Sequence, residues 1–356
     1  MSERGIYSYK EIMSQPEIYP EALRVFQNQA DALIALWKSN SFEQVIFTGC
    51  GSTYHLSKSA AAIFQSLTGL PAFSYPGSEA VLFPDIVYPR GKSVLLVAVS
   101  RSGETTETLE SIPVFRNQTG GKAIAITCDS RSSLARSADL TIAVDAAQEE
   151  SIAQTRSFST MLLLTQALAG HIAGEDINVL SRVPGVVRRL LAEHETLAKD
   201  LGTDKRIERI FFLGAGMLYG LASEAMLKMK EMSLSYSEAF HTLDFRHGPM
   251  SMVNENSIVV GLLSETALKY EVEVMKDMRH LGARVLSISE KPHPGLKSIG
   301  DVILLDSGLP NWARALTYLP ILQLFGYYRS MSKGLNPDKP NNLNAVVHLA
   351  PMISGE

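Results

Sequence analysis

Four hydroxyl side chains crowd one glycine in the stretch SRSGETT, residues 100–106: Ser100, Ser102, Thr105 and Thr106 stand around Gly103. A turn of this composition can bind a small anion. The glycine lets the backbone approach closely, the hydroxyls donate, and the N–H groups at the start of a following helix favour negative charge. The turn carries no lysine, and the chain has no GxxxxGK[ST] stretch, so a single phosphate monoester suits it better than a nucleoside triphosphate. The competing reading is that Ser102 or Thr105 merely caps the helix, with Glu104 complementing its dipole. A second stretch, LLSETALKY at residues 262–270, would cap a helix equally well but lacks the Ser-x-Ser-Gly arrangement. The first stretch therefore holds something beyond a cap. Ser52 and Thr53, in GCGST, are expected to add hydroxyls to the same cradle.

A charged stripe is the other candidate for chemistry. Glu224, Lys228 and Glu231 fall at i, i+4 and i+7, within about 60° of one another on a helix. The bland alternative is an amphipathic helix with a Glu–Lys pair on its surface, opposite a face of Ala222, Ala225, Met226, Met229 and Met232. His247 precedes Gly-Pro, a setting in which a lone histidine is usually a loop residue. No HxxxH, HxH or CxxC spacing suggests a metal site.

These residues must be positioned by a duplicated framework. QVIFTGCGSTYHL (44–56) and RIFFLGAGMLYGL (209–221) both read as a strand, a Gly-x-Gly turn and a helix start, at an offset of 165. SVLLVAVS (93–100) matches SIVVGLLS (257–264), GKAIAITCD (121–129) matches GARVLSISE (282–290), and ADLTIAVD (138–145) matches GDVILLDS (300–307). Short apolar strands alternating with helical stretches read as βαβ units with a parallel sheet, covered by helices on both faces. Doubly wound sheets bind ligands beyond the carboxyl ends of their strands. The turns after VIFTG and LLVAVS lie at that edge and are expected to share one crevice. Neither Gly-x-Gly turn completes a dinucleotide fingerprint with its acidic ribose contact, so NAD is not expected.

The bulk properties exclude other classes. A chain of 356 residues with 46% hydrophobic and 20% charged content is long enough for two globular domains. Its net charge of −4 gives no pull toward nucleic acid or acidic membranes. The polar N-terminus does not read as a signal peptide, and no run reaches the ~18 apolar residues of a membrane span. Two separated cysteines, Cys50 and Cys128, suggest neither a disulfide framework nor a structural zinc. A soluble cytoplasmic protein is the expectation.

The motifs GCGST, SRSGETTETL, EESIAQTRSFST, SEAMLKMKEMSLSYSEAF, FRHGPMSMV and GLNPDKPNNL, in this order, resemble the sugar isomerase (SIS) domain family. The similarity is greatest to the isomerase half of glucosamine-6-phosphate synthases and covers roughly residues 40–345. It implies an α/β fold of two flavodoxin-like α/β/α SIS domains, each with a parallel sheet, related by internal duplication. The expected boundaries are 25–178 for the first domain, 179–205 for a linker helix, 206–335 for the second domain and 336–356 for a tail. The resemblance implies a sugar phosphate bound between the domains, usually in a homodimer. Ser52, Thr53, Ser100, Ser102 and Thr105 would hold the phosphate, while Gln154 and Glu224 would lie near the sugar. Glu231 would be the catalytic carboxylate, with Lys228 as a positive charge beside developing enolate. His247 would open the ring from a neighbouring subunit.

An aldose–ketose interconversion moves a proton between C1 and C2, which one carboxylate over both carbons can do without a cofactor or metal. Three departures from the synthase pattern stand out. The chain opens MSERGIYSY with no cysteine nearby, so it is not expected to draw ammonia from glutamine by itself. Arg101 stands where the synthases have glutamine. Ala345 stands where their tail has a lysine. The expected activity is conversion of an amino-sugar phosphate, such as glucosamine 6-phosphate, to a ketose phosphate and ammonia. The alternatives are a fructosamine-phosphate deglycase, an isomerase releasing no ammonia, and a non-catalytic sugar-phosphate sensor.

Overall fold

A computed structural model describes residues 4–347 and 349. The chain divides into two compact units. The first comprises Ser14–Glu149 and Arg156–Ser181, with the described residues after 343. The second comprises residues 4–13, Glu150–Thr155 and Arg182–Leu343.

The first unit is built on β1 (Gln44–Gly49), β2 (Ala72–Pro76), β3 (Val94–Ser100), β4 (Lys122–Thr127) and β5 (Leu140–Ala143). All pairs are parallel, in the order β2-β1-β3-β4-β5. The second unit repeats the plan with β6 (Arg209–Gly214), β7 (Tyr236–Phe240), β8 (Ser257–Leu262), β9 (Arg284–Ser289) and β10 (Asp301–Leu304). Its order, β7-β6-β8-β9-β10, is the same doubly wound arrangement. The two-sheet α/β fold expected from the repeat is the fold observed.

Strands covered on both faces read as unbroken apolar runs. In β3 every side chain from Val94 to Val99 is fully buried, and each large one contributes about 1.5–3 kcal/mol of hydrophobic stabilisation. The core on one side of the first sheet joins Ile46, Leu96, Ile112, Phe115 and Leu134. Its counterpart in the second unit joins Phe211, Val259, Met275, Met278 and Val285. The helices Ser52–Thr68 and Arg156–Ala173 pack on one another in the first unit, and Gln15–Lys38 packs on the latter. Where a linker helix was expected, the helix Val183–Thr203 buries Val187, Leu190 and Leu191 and packs against Pro320–Ser332 within the second unit.

Strands β2 and β7 were not apparent from the sequence. Both are edge strands, AFSYP and YSEAF, largely part-exposed, and neither shows the apolar run that marks the interior strands. Among the described residues, no helix is long and apolar enough to cross a membrane.

Candidate functional site

The expected site residues fall into two groups, one per unit. Ser52, Thr53, Ser100, Ser102 and Thr105 belong to the first; Gln154, Glu224, Lys228, Glu231 and His247 belong to the second.

In the first unit, β1 and β3 are hydrogen-bonded neighbours at the point where strand order reverses. A helix starts after each: Ser52–Thr68 after β1 and Thr106–Thr119 after β3. Neither start receives a side-chain cap. Thr105 occupies the N-cap position, but its hydroxyl caps nothing; it lies 3.5 Å from Ser100 Oγ. Ser102 Oγ accepts the N–H of Glu104 at 3.2 Å, and Ser100 Oγ accepts that of Gly103 at 3.1 Å. The capping reading of Thr105 is therefore not what the side chain does. Two adjacent, uncapped helix N-termini at a switch point suit an anion. Ser52 and Ser100 are buried beside them, and Ser102 and Thr105 are part-exposed.

The turn is held in shape before any ligand arrives. The Gly103 carbonyl accepts the N–H of Leu134 at 3.0 Å, and Glu104 Oε1 accepts that of Ser133 at 2.7 Å. Gly103 has φ 65°, and any Cβ there would run into the Ser132 side chain, so only glycine fits. In the neighbouring turn, Thr53 Oγ1 accepts the Cys50 N–H at 2.9 Å and donates to the Cys50 carbonyl at 3.0 Å. Its single proton is thus used within the turn. Burial pushes the Cys50 thiol up to about 11, which removes it as a nucleophile at neutral pH.

Arg101, in place of a glutamine, is buried. One guanidinium nitrogen lies 3.8 Å from Glu149, and another donates to the Ala345 carbonyl at 3.2 Å. Glu149 in turn accepts the Arg156 N–H at 2.7 Å and the Ser157 hydroxyl, at the start of the Arg156–Ala173 helix. The Leu349 N–H reaches Thr106 Oγ1 at 3.1 Å. Tail residues 345 and 349 therefore touch both ends of the hydroxyl turn. Glu149 was not foreseen, because the fold brings Arg101 to it from far along the chain.

The duplicate turn, after β8, is filled from within. Ser264, the counterpart of Ser100, presents its N–H at 2.6 Å and its hydroxyl at 3.1 Å to Glu271 Oε2. Ser264 Oγ also accepts the Ala267 N–H at 3.1 Å, as Ser100 accepts that of Gly103. A carboxylate of the following helix, Leu268–His280, thus takes up both the N–H and the hydroxyl of Ser264 in this turn. Desolvation outweighs these two hydrogen bonds and raises the Glu271 carboxyl to about 7.

The charged stripe lies on the helix Leu218–Ser233, which follows β6. The surface-pair reading is overturned: Glu224 is 0% exposed and Lys228 1%. Lys228 Nζ lies 3.5 Å from Glu224 Oε1 and donates a very short hydrogen bond to Glu231 Oε2. Glu231 alone keeps partial exposure, at 19%. Burying charges costs several kcal/mol per ion. That cost is offset only where the charges are paired, and here one ammonium lies beside both carboxylates.

His247 is exposed between two short 3₁₀ turns, Asp244–Arg246 and Pro249–Met252. Its N–H donates to the Asp244 carbonyl at 2.9 Å. Arg246 is tied to Asp277 at 2.5 Å, and Gly248 has φ 135°, a turn that needs glycine. Gln154 lies in the 150–155 loop with Oε1 buried and without a hydrogen-bond partner among the described residues. No cluster of three or more metal-ligating side chains occurs among the described residues.

The class that this fold and these residues define is borne out by comparison. The SIS domain pattern matches residues 39–170 and 205–312, and the chain belongs to the SIS domain family. It is 28% identical over 357 residues to a glutamine–fructose-6-phosphate aminotransferase (isomerizing) of Methanothermobacter thermautotrophicus. It is 30% identical over 346 residues to the enzyme of that name from Sulfurisphaera tokodaii. These alignments take in 98% and 96% of this chain but 58% and 56% of the relatives, so the chain spans little more than half their length. Among solved structures, a glucosamine-6-phosphate deaminase from Thermotoga maritima is similar with TM-score 0.79 and 28% identity, over 96% of this chain and 100% of that one. A tagatose-6-phosphate ketose/aldose isomerase from Escherichia coli shares the fold, with TM-score 0.86 and 22% identity over 95% and 96% of the two chains.

Proposed function

We propose that this protein is an amino-sugar-phosphate isomerase and deaminase, acting on glucosamine 6-phosphate or a close relative. The observation that carries the reading is the buried set Glu224–Lys228–Glu231, with only Glu231 reaching solvent. The likeness to the Thermotoga maritima deaminase supports the choice of substrate.

The phosphate binds at the hydroxyl turn of the first unit, through Ser52, Ser100, Ser102 and Thr105 and the uncapped helix starts, with Thr53 shaping the turn. His247 carries the proton that opens the pyranose ring, acting on the site of a neighbouring subunit in a homodimer. Gln154 accepts a hydrogen bond from a sugar hydroxyl. Glu231 then removes the C2 proton of the open-chain amino aldose, giving an enolamine, and returns a proton to C1. The product carries an imine at C2. Water adds there, the C–N bond breaks, and ammonia leaves with the ketose phosphate. Lys228 fixes the Glu231 carboxylate and stabilises negative charge as it develops. Glu224 acts through Lys228, holding it in place.

Proton transfer by Glu231 is tested by incubating fructose 6-phosphate with the protein in D₂O and following C1 by NMR. Deuterium should enter C1 with the native protein and not with Glu231→Gln. Equal incorporation by both would remove Glu231 from the mechanism.

A further inference from the structure

One buried carboxylate has no part in this chemistry. Glu11, on the helix Ile6–Met13, is 3% exposed. Its Oε1 accepts the N–H of Glu150 at 2.6 Å and that of Ser151 at 3.2 Å, and its Oε2 meets the Ser151 hydroxyl. Ser151 Oγ also lies 3.1 Å from the Ala153 carbonyl. The next N–H of the loop, on Ile152, donates to the Asp338 carbonyl at 3.0 Å. The Thr155 carbonyl accepts from Gln323 Nε2 at 3.1 Å.

The other end of the same helix closes the circuit. Asp338 Oδ1 accepts the N–H of Ser8 at 2.8 Å and its hydroxyl at 2.7 Å, and Oδ2 accepts the N–H of Tyr7 at 3.4 Å. These are orphan donors of a helix start, and a carboxylate satisfies them well. Asn336 Oδ1 adds bonds from Gly5 and Asp338 N–H, both at 3.2 Å. The helix, the 150–155 loop and the 336–338 segment are thereby joined in one ring of hydrogen bonds.

Within that loop sits Gln154, its Oε1 buried and unpartnered among the described residues. An unmade buried acceptor costs about 1–3 kcal/mol, and a bound donor would recover it. Beside it the N–H groups of Glu150, Ser151 and Ile152, the Ser151 hydroxyl and the Thr155 carbonyl all have partners, and the Gln154 side-chain carbonyl is an acceptor left for a bound donor.

We propose that Glu11 is a positioning residue: it holds the 150–155 loop so that the Gln154 side-chain carbonyl accepts a hydroxyl of the bound sugar. This rests on the sugar-phosphate reading given above. Glu11 touches no substrate, and its effect passes through the Glu150 and Ser151 backbone to Gln154.

The test is a double-mutant cycle on the full chain, with calorimetric Kd for fructose 6-phosphate and for inorganic phosphate. Glu11→Gln and Gln154→Ala should each weaken fructose 6-phosphate by about ten-fold, the loss of one well-formed polar contact. The pair together should be no weaker than Gln154→Ala alone, and the Kd for inorganic phosphate should not move. Ser151→Ala, which leaves the Glu11 charge and both backbone bonds in place, should weaken the sugar phosphate by a smaller factor of about three. It carries the test if Glu11→Gln does not fold. Weakening by Gln154→Ala with no change in Glu11→Gln or Ser151→Ala would overturn the positioning role and leave the functional reading standing. Additive losses in the cycle would overturn it equally. Failure of the native protein to bind fructose 6-phosphate at all would bring down the functional reading itself.

Discussion

Glutamine in place of Glu271 should make the protein more stable at neutral pH and leave it nearly unchanged in acid. The carboxyl rises from 4.5 to about 7 in the fold, chiefly through burial. At about 1.4 kcal/mol per pH unit, this corresponds to roughly 3 kcal/mol between the protonated and ionised forms. The folded pKa lies above the unfolded one, so the folded state holds the proton longer. Glu271 therefore favours the fold fully below pH 4.5, and that contribution is lost as pH rises toward 7. Glu271→Gln keeps an oxygen for the Ser264 N–H and removes the titration. Urea melts at pH 5, 6, 7 and 8 would follow the difference between variant and native protein. The difference should grow in favour of the variant by about 2–3 kcal/mol over that range. A difference that stays flat with pH would refute the argument that Glu271 is a desolvated acid filling the duplicate turn.

Other outcomes follow from the same geometry. Ser102→Ala should weaken sugar-phosphate binding by about ten- to a hundred-fold, the worth of one hydrogen bond to a charged group, read by calorimetry. Lys228→Met should lower stability by about 3–5 kcal/mol by leaving Glu224 and Glu231 without their cation. Glu224→Gln added to it should recover part of the melting temperature and none of the turnover. Gly103→Ala, placed at φ 65° against Ser132, should abolish phosphate binding in a titration. Mixing inactive Glu231→Gln subunits with inactive His247→Ala subunits should restore activity in mixed dimers; none in demonstrated mixed dimers would count against a shared site.

Interior strands were legible because burial on both faces writes continuous apolar runs, and β1, β3, β6 and β8 carry them in register. The edge strands β2 and β7 were not, since a part-exposed strand such as YSEAF looks like a loop. The hydroxyl turn was readable from composition alone, but its use was not: Thr105 occupies a cap position without capping. The Glu224–Lys228 spacing fits a surface pair and a buried triad equally well, and only burial separates them. Least visible were Glu11, Glu149 and Glu271. Each is a single carboxylate whose meaning comes from backbone N–H groups or hydroxyls brought to it by the fold. For Glu11 the partners stand at positions 150 and 151, far along the chain.

The central claim is that one carboxylate runs an isomerisation that ends in loss of ammonia. The most direct measurement is ammonia and fructose 6-phosphate formed from glucosamine 6-phosphate by the native protein and by Glu231→Gln. Both products should form in equal amounts with the native protein and be lost in the variant. Tight binding of glucosamine 6-phosphate with neither product formed would contradict it, and would point to a different adduct on the amine or to a sensor.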